Sequence, residues 1–357
     1  MRIDDQGTVV WSASDLKSAA ECEFAWLRRL DSKLGRIDAV VEPEDATLAR
    51  AGAMGFVHEG RQLETYREQF GSGVAEIATA LASDAAAPGG AAEQTVAALR
   101  AGADVVYQAT FSDADFIGFA DFLLRDDDGR YVVQDTKLAR RAKVTALMQL
   151  AAYVDQLDRL GIPRADRVEL LLGDGSTSRH SVDDVLPVFF LRRERLRALI
   201  RSRQPALGDQ GEFVAWGAPG IAACGRCATC ALEVEAHRDL LLVAGMRPTQ
   251  RTRLRTDGVD TIDALAATTA VPPGMSPDAF ASLRIQSRLQ LETEHLAAGG
   301  EPVPPVVEVV LPAALAGIPT PDAGDLFFDF EGDPLYTEEA ATRLWNLDYL
   351  FGWVDND

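Results

Sequence analysis

Residues 115–137, DFIGFADFLLRDDDGRYVVQDTK, decide how the rest of the chain is read. Two runs of strand-forming residues, 115–124 and 130–136, flank the acidic turn Asp126-Asp127-Asp128-Gly129. Such runs on either side of an Asp-Gly turn predict a β-hairpin. Counting back from the turn places Asp121 and Asp135 roughly opposite each other. Directly opposed positions have Cβ atoms about 5 Å apart. Two carboxylates that close repel unless a cation lies between them, and Mg²⁺ or Mn²⁺ suits hard oxygen ligands while retaining water for chemistry. Lys137 follows Asp135 by two and points to the same side of its strand. An ammonium there can position or deprotonate an attacking water and stabilise charge on a phosphate. Asp-x-Lys alone is common, and a hairpin with solvated polar ends is the plainer alternative.

Working outward, 104–111 (DVVYQATF) reads as a further strand, 143–160 as a helix closed by Gly161 and Pro163, and 167–172 as a strand. Upstream, 12–31 reads as one helix capped by Ser12 or Ser14, and 47–70 as a second helix carrying His58. A loop rich in Ala, Gly and Pro is expected over 84–92, then a short helix to about residue 101. The order helix, three strands, helix, strand predicts a mixed α/β core.

Four elements occur in sequence along this core: Gly55-Phe-Val-His58, Gly118-Phe-Ala-Asp121, Asp135-Thr-Lys137 and Gln149-Leu-Ala-Ala-Tyr153. Gln149 and Tyr153, four apart, share one helix face. The ordered set resembles the RecB-like branch of the PD-(D/E)XK superfamily, over residues 55–210. The resemblance implies a restriction-endonuclease-like α-β-β-β-α-β core with helical additions, acting as a Mg²⁺- or Mn²⁺-dependent deoxyribonuclease, expected to be an exonuclease, in recombination, repair or defence. It implies that His58, Asp121, Asp135 and the Thr136 carbonyl bind the metal, that Asp121, Asp135 and Lys137 are catalytic, and that Gln149 and Tyr153 contact substrate. The pattern departs only at Ala120, before Asp121. His180, His237 and His295 lack such a context and read as ordinary histidines. A nuclease-fold scaffold that binds DNA without cutting it, and a regulatory module with incidental carboxylates, are the rival readings.

Three of the four cysteines form the run Cys224-x-x-Cys227-x-x-Cys230, and Cys22 stands about 200 residues earlier. Cysteine this sparse and clustered reads as a metal or cluster site in a reducing compartment rather than as disulfides. The Cys-x₂-Cys-x₂-Cys spacing is the one bacterial ferredoxins use for a 4Fe–4S cluster. Zinc sites more often use two separated Cys-x₂-Cys pairs, and Zn²⁺ is the alternative. The arrangement resembles the iron-stapled nucleases of the AddB and CRISPR-associated exonuclease type, although those have a longer gap before the last cysteine. Joining Cys22 to the run would close a long loop and stabilise the fold.

Further on, 184–203 reads as a long basic helix, 229–243 as helical and 245–297 as helical with Gly/Pro breaks. Gly258-Val-Asp-Thr-Ile-Asp-Ala-Leu-Ala looks like a helix-hairpin-helix segment, whose glycine turn presents amides to phosphates; an ordinary helical bundle is the alternative. Leu326-Phe-Phe-Asp329-Phe-Glu331-Gly-Asp333 resembles the first strand of a DnaQ-like, RNase H-fold exonuclease, with Asp329 and Glu331 as metal ligands of an incomplete second site. The organisation expected is 1–46 (the helix carrying Cys22), 47–210 (nuclease core), 211–244 (cysteine segment), 245–298 (helical module), 299–324 (linker) and 325–357 (a truncated RNase H-like start). In proteins so arranged a helicase domain or subunit commonly follows, and the chain reads as a fragment of something longer.

The bulk composition constrains these expectations. With 357 residues, 47% of them hydrophobic, the chain can bury a sizeable core. No apolar run of about 18 residues exists and the N-terminus lacks an apolar signal region, so no membrane segment is expected and cytoplasm is the default. A net charge of −20 argues against a uniformly basic DNA binder. The cations cluster, however, at Arg140, Arg141 and Lys143, at Arg192 to Arg203, and at Arg247 to Arg255.

Overall fold

The computed structural model describes residues 1–4, 7–41, 45–78, 87–203, 211–300, 302–337 and 345–355. They divide into two compact units, Met1–Cys224 and Gly225–Asp357. The first unit opens with β1 (Arg2–Ile3), β2 (Val9–Ser12), α1 (Ala13–Glu21), α2 (Glu23–Lys33), α3 (Ala46–Phe70), β3 (Val74–Glu76) and α4 (Ala87–Ala101). It continues through β4 (Val105–Ser112), β5 (Phe116–Arg125), β6 (Tyr131–Lys137), α5 (Val144–Arg159), β7 (Arg164–Leu172), β8 (Thr177–Ser181) and α6 (Val182–Arg203). Its eight strands form one mixed sheet, so the mixed α/β expectation holds.

The hairpin forms where its sequence places it. Asp126 organises the turn: its carboxylate accepts from the Asp128 and Arg130 amides at 3.1 and 2.8 Å, and Gly129 takes the left-handed conformation, φ +76°. β6 is buried from Tyr131 to Thr136, as befits a strand paired on both sides. It runs antiparallel to β5 and parallel to β7. Fully buried Phe116 and Phe122 anchor β5, each worth about 1.5–3 kcal/mol of burial.

β5 has a forked edge. β4 lies along one side of it from Ile117 to Leu124. On the other side β2 pairs with Phe116 and Ile117, whereas β6 pairs only with Phe122 to Arg125. Among the described residues, Gly118 to Asp121 therefore face no strand on that edge.

Several elements differ from expectation. The helix predicted over 12–31 is two helices broken at Cys22, whose extended backbone ends α1 and caps α2. Ser12 is the N-cap of α1, in a capping box with Asp15. Helix α4 begins at Ala87, inside the loop expected over 84–92, of which 84–86 lie outside the described residues. Strands β1, β2, β3 and β8 are short and their sequences carry too few alternations to be read as strands.

The second unit contains α7 (Ala228–Ala236), α8 (Pro248–Thr256), α9 (Ile262–Ala267), α10 (Pro277–Ala297), α11 (Pro312–Leu315), β9 (Phe327–Thr337) and β10 (Trp345–Val354). The helix expected to run to 243 stops at Ala236, where Arg238 turns left-handed (φ +47°), and resumes as a 3₁₀ turn at Leu240–Leu242. Leu240, Leu254, Leu265, Phe280 and Leu283 are among the residues of its core. Helices α8 and α9 are joined by a short turn containing Gly258 at φ +82°. Part of the 299–324 stretch packs along α10 through Val306 N–H to Thr293 Oγ1 (2.9 Å) and Arg288 to Glu308 (2.5 Å). β9 and β10 form an antiparallel two-stranded sheet.

Candidate metal centres

The fork in β5 creates the first site. The β5–β6 ladder ends at Phe122↔Gln134, one step before Asp121 and Asp135, which stand next in that register. Thr136 donates both its amide and its hydroxyl to Asp121 Oδ2, at 3.0 and 3.1 Å. Asp135 is only 1% exposed, and neither of its carboxylate oxygens has a directional hydrogen bond. Its close contact is an ion pair with Lys137 Nζ, whose side chain is about a third exposed. Burial, and then the facing Asp121 carboxylate, push the Asp135 carboxyl well above the usual range, against the pull of Lys137.

Gln149 and Tyr153 sit beside this pair on α5, with Gln149 Nε2 donating to the Tyr153 hydroxyl at 3.4 Å. Burial chiefly raises the Tyr153 phenol, with Asp135 and Asp121 adding to it. Tyr153 stacks on Phe111 at 5.9 Å and packs so closely on β5 that a Cβ at Gly118 would lie 2.6 Å from its ring. The glycine three residues before Asp121 is thus required by a neighbour on another element.

His58 lies on α3 with Nε2 3.5 Å from the Leu171 carbonyl oxygen on β7. Among the described residues, the only set of three or more His, Cys, Asp or Glu ligands gathered within metal-binding reach of one another is the four cysteines, so His58 is not drawn up to Asp121 and Asp135 here. Its neighbour Glu59, which motif reading passes over, reaches the site instead. Burial and then the Asp121 charge raise the Glu59 carboxyl, while Tyr107, Gln108 and Lys137 favour its ionised form. Gln108 donates Nε2 to Glu59 Oε1 from a left-handed backbone (φ +53°) in the middle of β4. The Tyr107 phenol is pushed up to about 12, first by burial and then by Glu59. Only that improbable φ at a non-glycine strand residue marks the place, and it is invisible in sequence.

The second centre is the thiols. Cys22 and Cys230 are buried, Cys224 and Cys227 half-buried, and their four sulfurs lie within 4.8 Å of one another. The 211–224 segment is delivered to α2 by polar contacts. Fully buried Asp31 takes Arg36 (2.8 Å), Arg203 (2.9 Å) and the Val214 amide (2.8 Å). Glu23, held by Arg195 at 2.5 Å, accepts from the Ala222 amide at 3.0 Å, and the Phe24 amide donates to Ala222 O. Cys22 Sγ then accepts from the Ala25 and Cys224 amides at 3.3 and 3.4 Å. Gly225 turns the loop at φ +73°, where a Cβ would meet Leu241 at 2.3 Å. Four thiols this close can hold a metal ion.

The remaining candidates are not assembled. Asp329 and Glu331 are exposed on β9, and no ligand cluster forms there among the described residues. His180 pairs with Ser178 (2.9 Å) and His237 with Glu233 (3.3 Å). No helix among the described residues is long and apolar enough to cross a membrane. No family model matches the chain and no curated protein matches it.

Proposed function

We propose that the first unit is a metal-dependent nuclease of the RecB-like PD-(D/E)XK kind that hydrolyses DNA phosphodiester bonds. The observation carrying this reading is the buried Asp135 carboxyl, without a hydrogen bond, set beside Asp121 and Lys137 at the fork of β5 and β6. These oxygen donors suit Mg²⁺ or Mn²⁺, which would be held by Asp121 and Asp135 with the Thr136 carbonyl; the resemblance would add His58, whose ring lies against the Leu171 carbonyl in this structure. When bound, the cation would supply Lewis-acid polarisation of the scissile phosphate. Lys137, partly exposed beside Asp135, would orient the attacking water and offset the charge that builds on the phosphoryl oxygens. Gln149 would hydrogen-bond substrate, with its amide fixed by buried Tyr153.

For the thiols, two cofactors are supported by different observations. The Cys-x₂-Cys-x₂-Cys spacing favours a 4Fe–4S cluster. The mutual closeness of the sulfurs, within 4.8 Å, favours one tetrahedral Zn²⁺, whose bonds of about 2.3 Å set sulfurs about 3.8 Å apart. Either would be structural, since phosphodiester hydrolysis needs no electron transfer. Iron, sulfide and zinc analysis of protein purified without oxygen separates the two.

The deciding experiment is cleavage of end-labelled single- and double-stranded DNA with Mn²⁺ or EDTA, beside Asp135→Ala. Metal-dependent cleavage absent from the variant is expected, and the product ladder gives polarity. A folded, metal-loaded wild type that binds DNA and leaves it intact would instead support a non-cutting scaffold.

A further inference from the structure

Ion pairing sorts the three cationic clusters of the sequence. In the 192–203 cluster, four of the six arginines are held by carboxylates: Arg193 by Asp155 (2.9 Å), Arg195 by Glu23 (2.5 Å), Arg197 by Asp115 (2.9 Å) and Arg203 by Asp31 (2.9 Å). In the 247–255 cluster Arg251 is held by Asp239 (2.5 Å) and Arg255 by Asp260 (3.1 Å). The run at 140–143 is different. Arg140, Arg141 and Lys143 are all exposed, and no Asp or Glu occurs between Asp135 and Asp155. Arg140 feels Asp174, whereas the side chains of Arg141 and Lys143 have no ion pair or hydrogen bond among the described residues.

The backbone presenting these cations is fixed at both ends. On one side it leaves β6 directly after Lys137, and residue 173 approaches so closely that a Cβ there would lie 2.2 Å from Leu138 O. Gly173 N–H also donates to Ala139 O at 3.3 Å. On the other side Lys143 opens α5, its carbonyl accepting from the Ala146 amide at 2.9 Å. A protein of net charge −20 thus keeps the side chains of Arg141 and Lys143 unpaired, four and six residues beyond Lys137, on a loop tethered at both ends.

We propose that Arg141 and Lys143, assisted by Arg140, bind the backbone phosphates of a nucleic-acid strand that runs past the Asp121–Asp135–Lys137 site. This rests on the nuclease reading of that site for its orientation, while the binding itself needs only the charges. Phosphate contacts of this kind place the strand without reading its sequence.

The test is fluorescence anisotropy of a labelled single-stranded oligonucleotide with full-length protein in EDTA, from about 50 to 200 mM salt. Removing two phosphate contacts by Arg141→Ala/Lys143→Ala should flatten the salt dependence by about 1.4 in slope, so that wild-type affinity falls roughly sevenfold more than the variant's across that range. Arg141→Glu/Lys143→Glu should bind more weakly still, and Arg100→Ala, an exposed arginine on α4, should bind as wild type. Thermal melts establish that each variant folds. Wild-type affinity and slope in the double alanine variant, or no binding by the wild type, would overturn the proposal. Cleavage with Mn²⁺ is scored separately: a protein that binds but never cleaves fails the nuclease reading alone.

Discussion

In the metal-free protein Asp135 is a buried carboxyl facing another carboxylate, so its ionised form is held at a cost that Asp135→Asn removes. The folded-state pKa lies above the unfolded one. The stability this group contributes is therefore fully present below about pH 4 and is lost as pH rises through the raised folded value. Relieving one badly solvated buried polar group is worth about 1–3 kcal/mol. The Lys137 contact offsets little of this, because a third-exposed ammonium is screened and can return to water. For a unit of this size each kcal/mol moves Tm by roughly 2–4 °C, so the variant without Mn²⁺ should melt roughly 2–12 °C above wild type at pH 7.5 and close to it at pH 4. Added Mn²⁺ closes or reverses this gap. At a hundredfold excess over Kd it stabilises the wild type by about 2.7 kcal/mol and leaves the asparagine variant unmoved. Thermal melts at both pH values, with and without Mn²⁺, read all four arms without stripping the thiol site. An asparagine variant that is less stable than wild type without Mn²⁺, yet keeps the full Mn²⁺ shift, would refute the reasoning.

Three further outcomes follow from named contacts. Gly118→Ala should cost about 1–3 kcal/mol by driving a methyl into the Tyr153 ring. Its cleavage should fall further than its stability, which matched melts and rates would show. Asp31→Ala should cost about 3–5 kcal/mol, because Arg36 and Arg203 lose a fully buried partner. It should also lower metal content at the cysteines, since the 211–224 segment loses its anchor at Val214; unchanged metal content would show that the anchor is dispensable. Gln108→Gly relieves a left-handed backbone worth about 1–3 kcal/mol and loses one hydrogen bond worth about 1 kcal/mol, so stability should hold or rise. Cleavage should drop as Glu59 is released, and undiminished cleavage would remove Glu59 from the site.

What local pattern controls was legible. The hairpin, its turn, α5 and the rough opposition of Asp121 and Asp135 all follow from alternation, turn chemistry and counting. What depends on distant partners was not. Cys22 sits in a stretch helical by composition on both sides, and it breaks that helix to cap α2 and meet the 220–224 segment. Composition likewise cannot say which arginines will find carboxylates: Asp155 on α5, Glu23 and Asp31 on α2, and Asp115 just before β5 all meet α6. The basic helix thus spends most of its positive charge inside the fold.

The Asp121–Asp135 pair shows why Asp-x-Lys is so weak a signal taken alone. The β5–β6 ladder does not reach Asp121 and Asp135, because β2 stops at Ser12 while β6 pairs with β5 only from Phe122, and neither limit lies within the motif. Had β6 paired with β5 one or two residues further, the Thr136 amide would have met the β5 backbone rather than the Asp121 carboxylate. An identical Asp-x-Lys in an unforked hairpin would be an ordinary strand end. The proposed chemistry depends on the gap between two strands sharing one edge of β5, with Tyr153 of α5 packed on Gly118 and Glu59 of α3 close enough to feel Asp121.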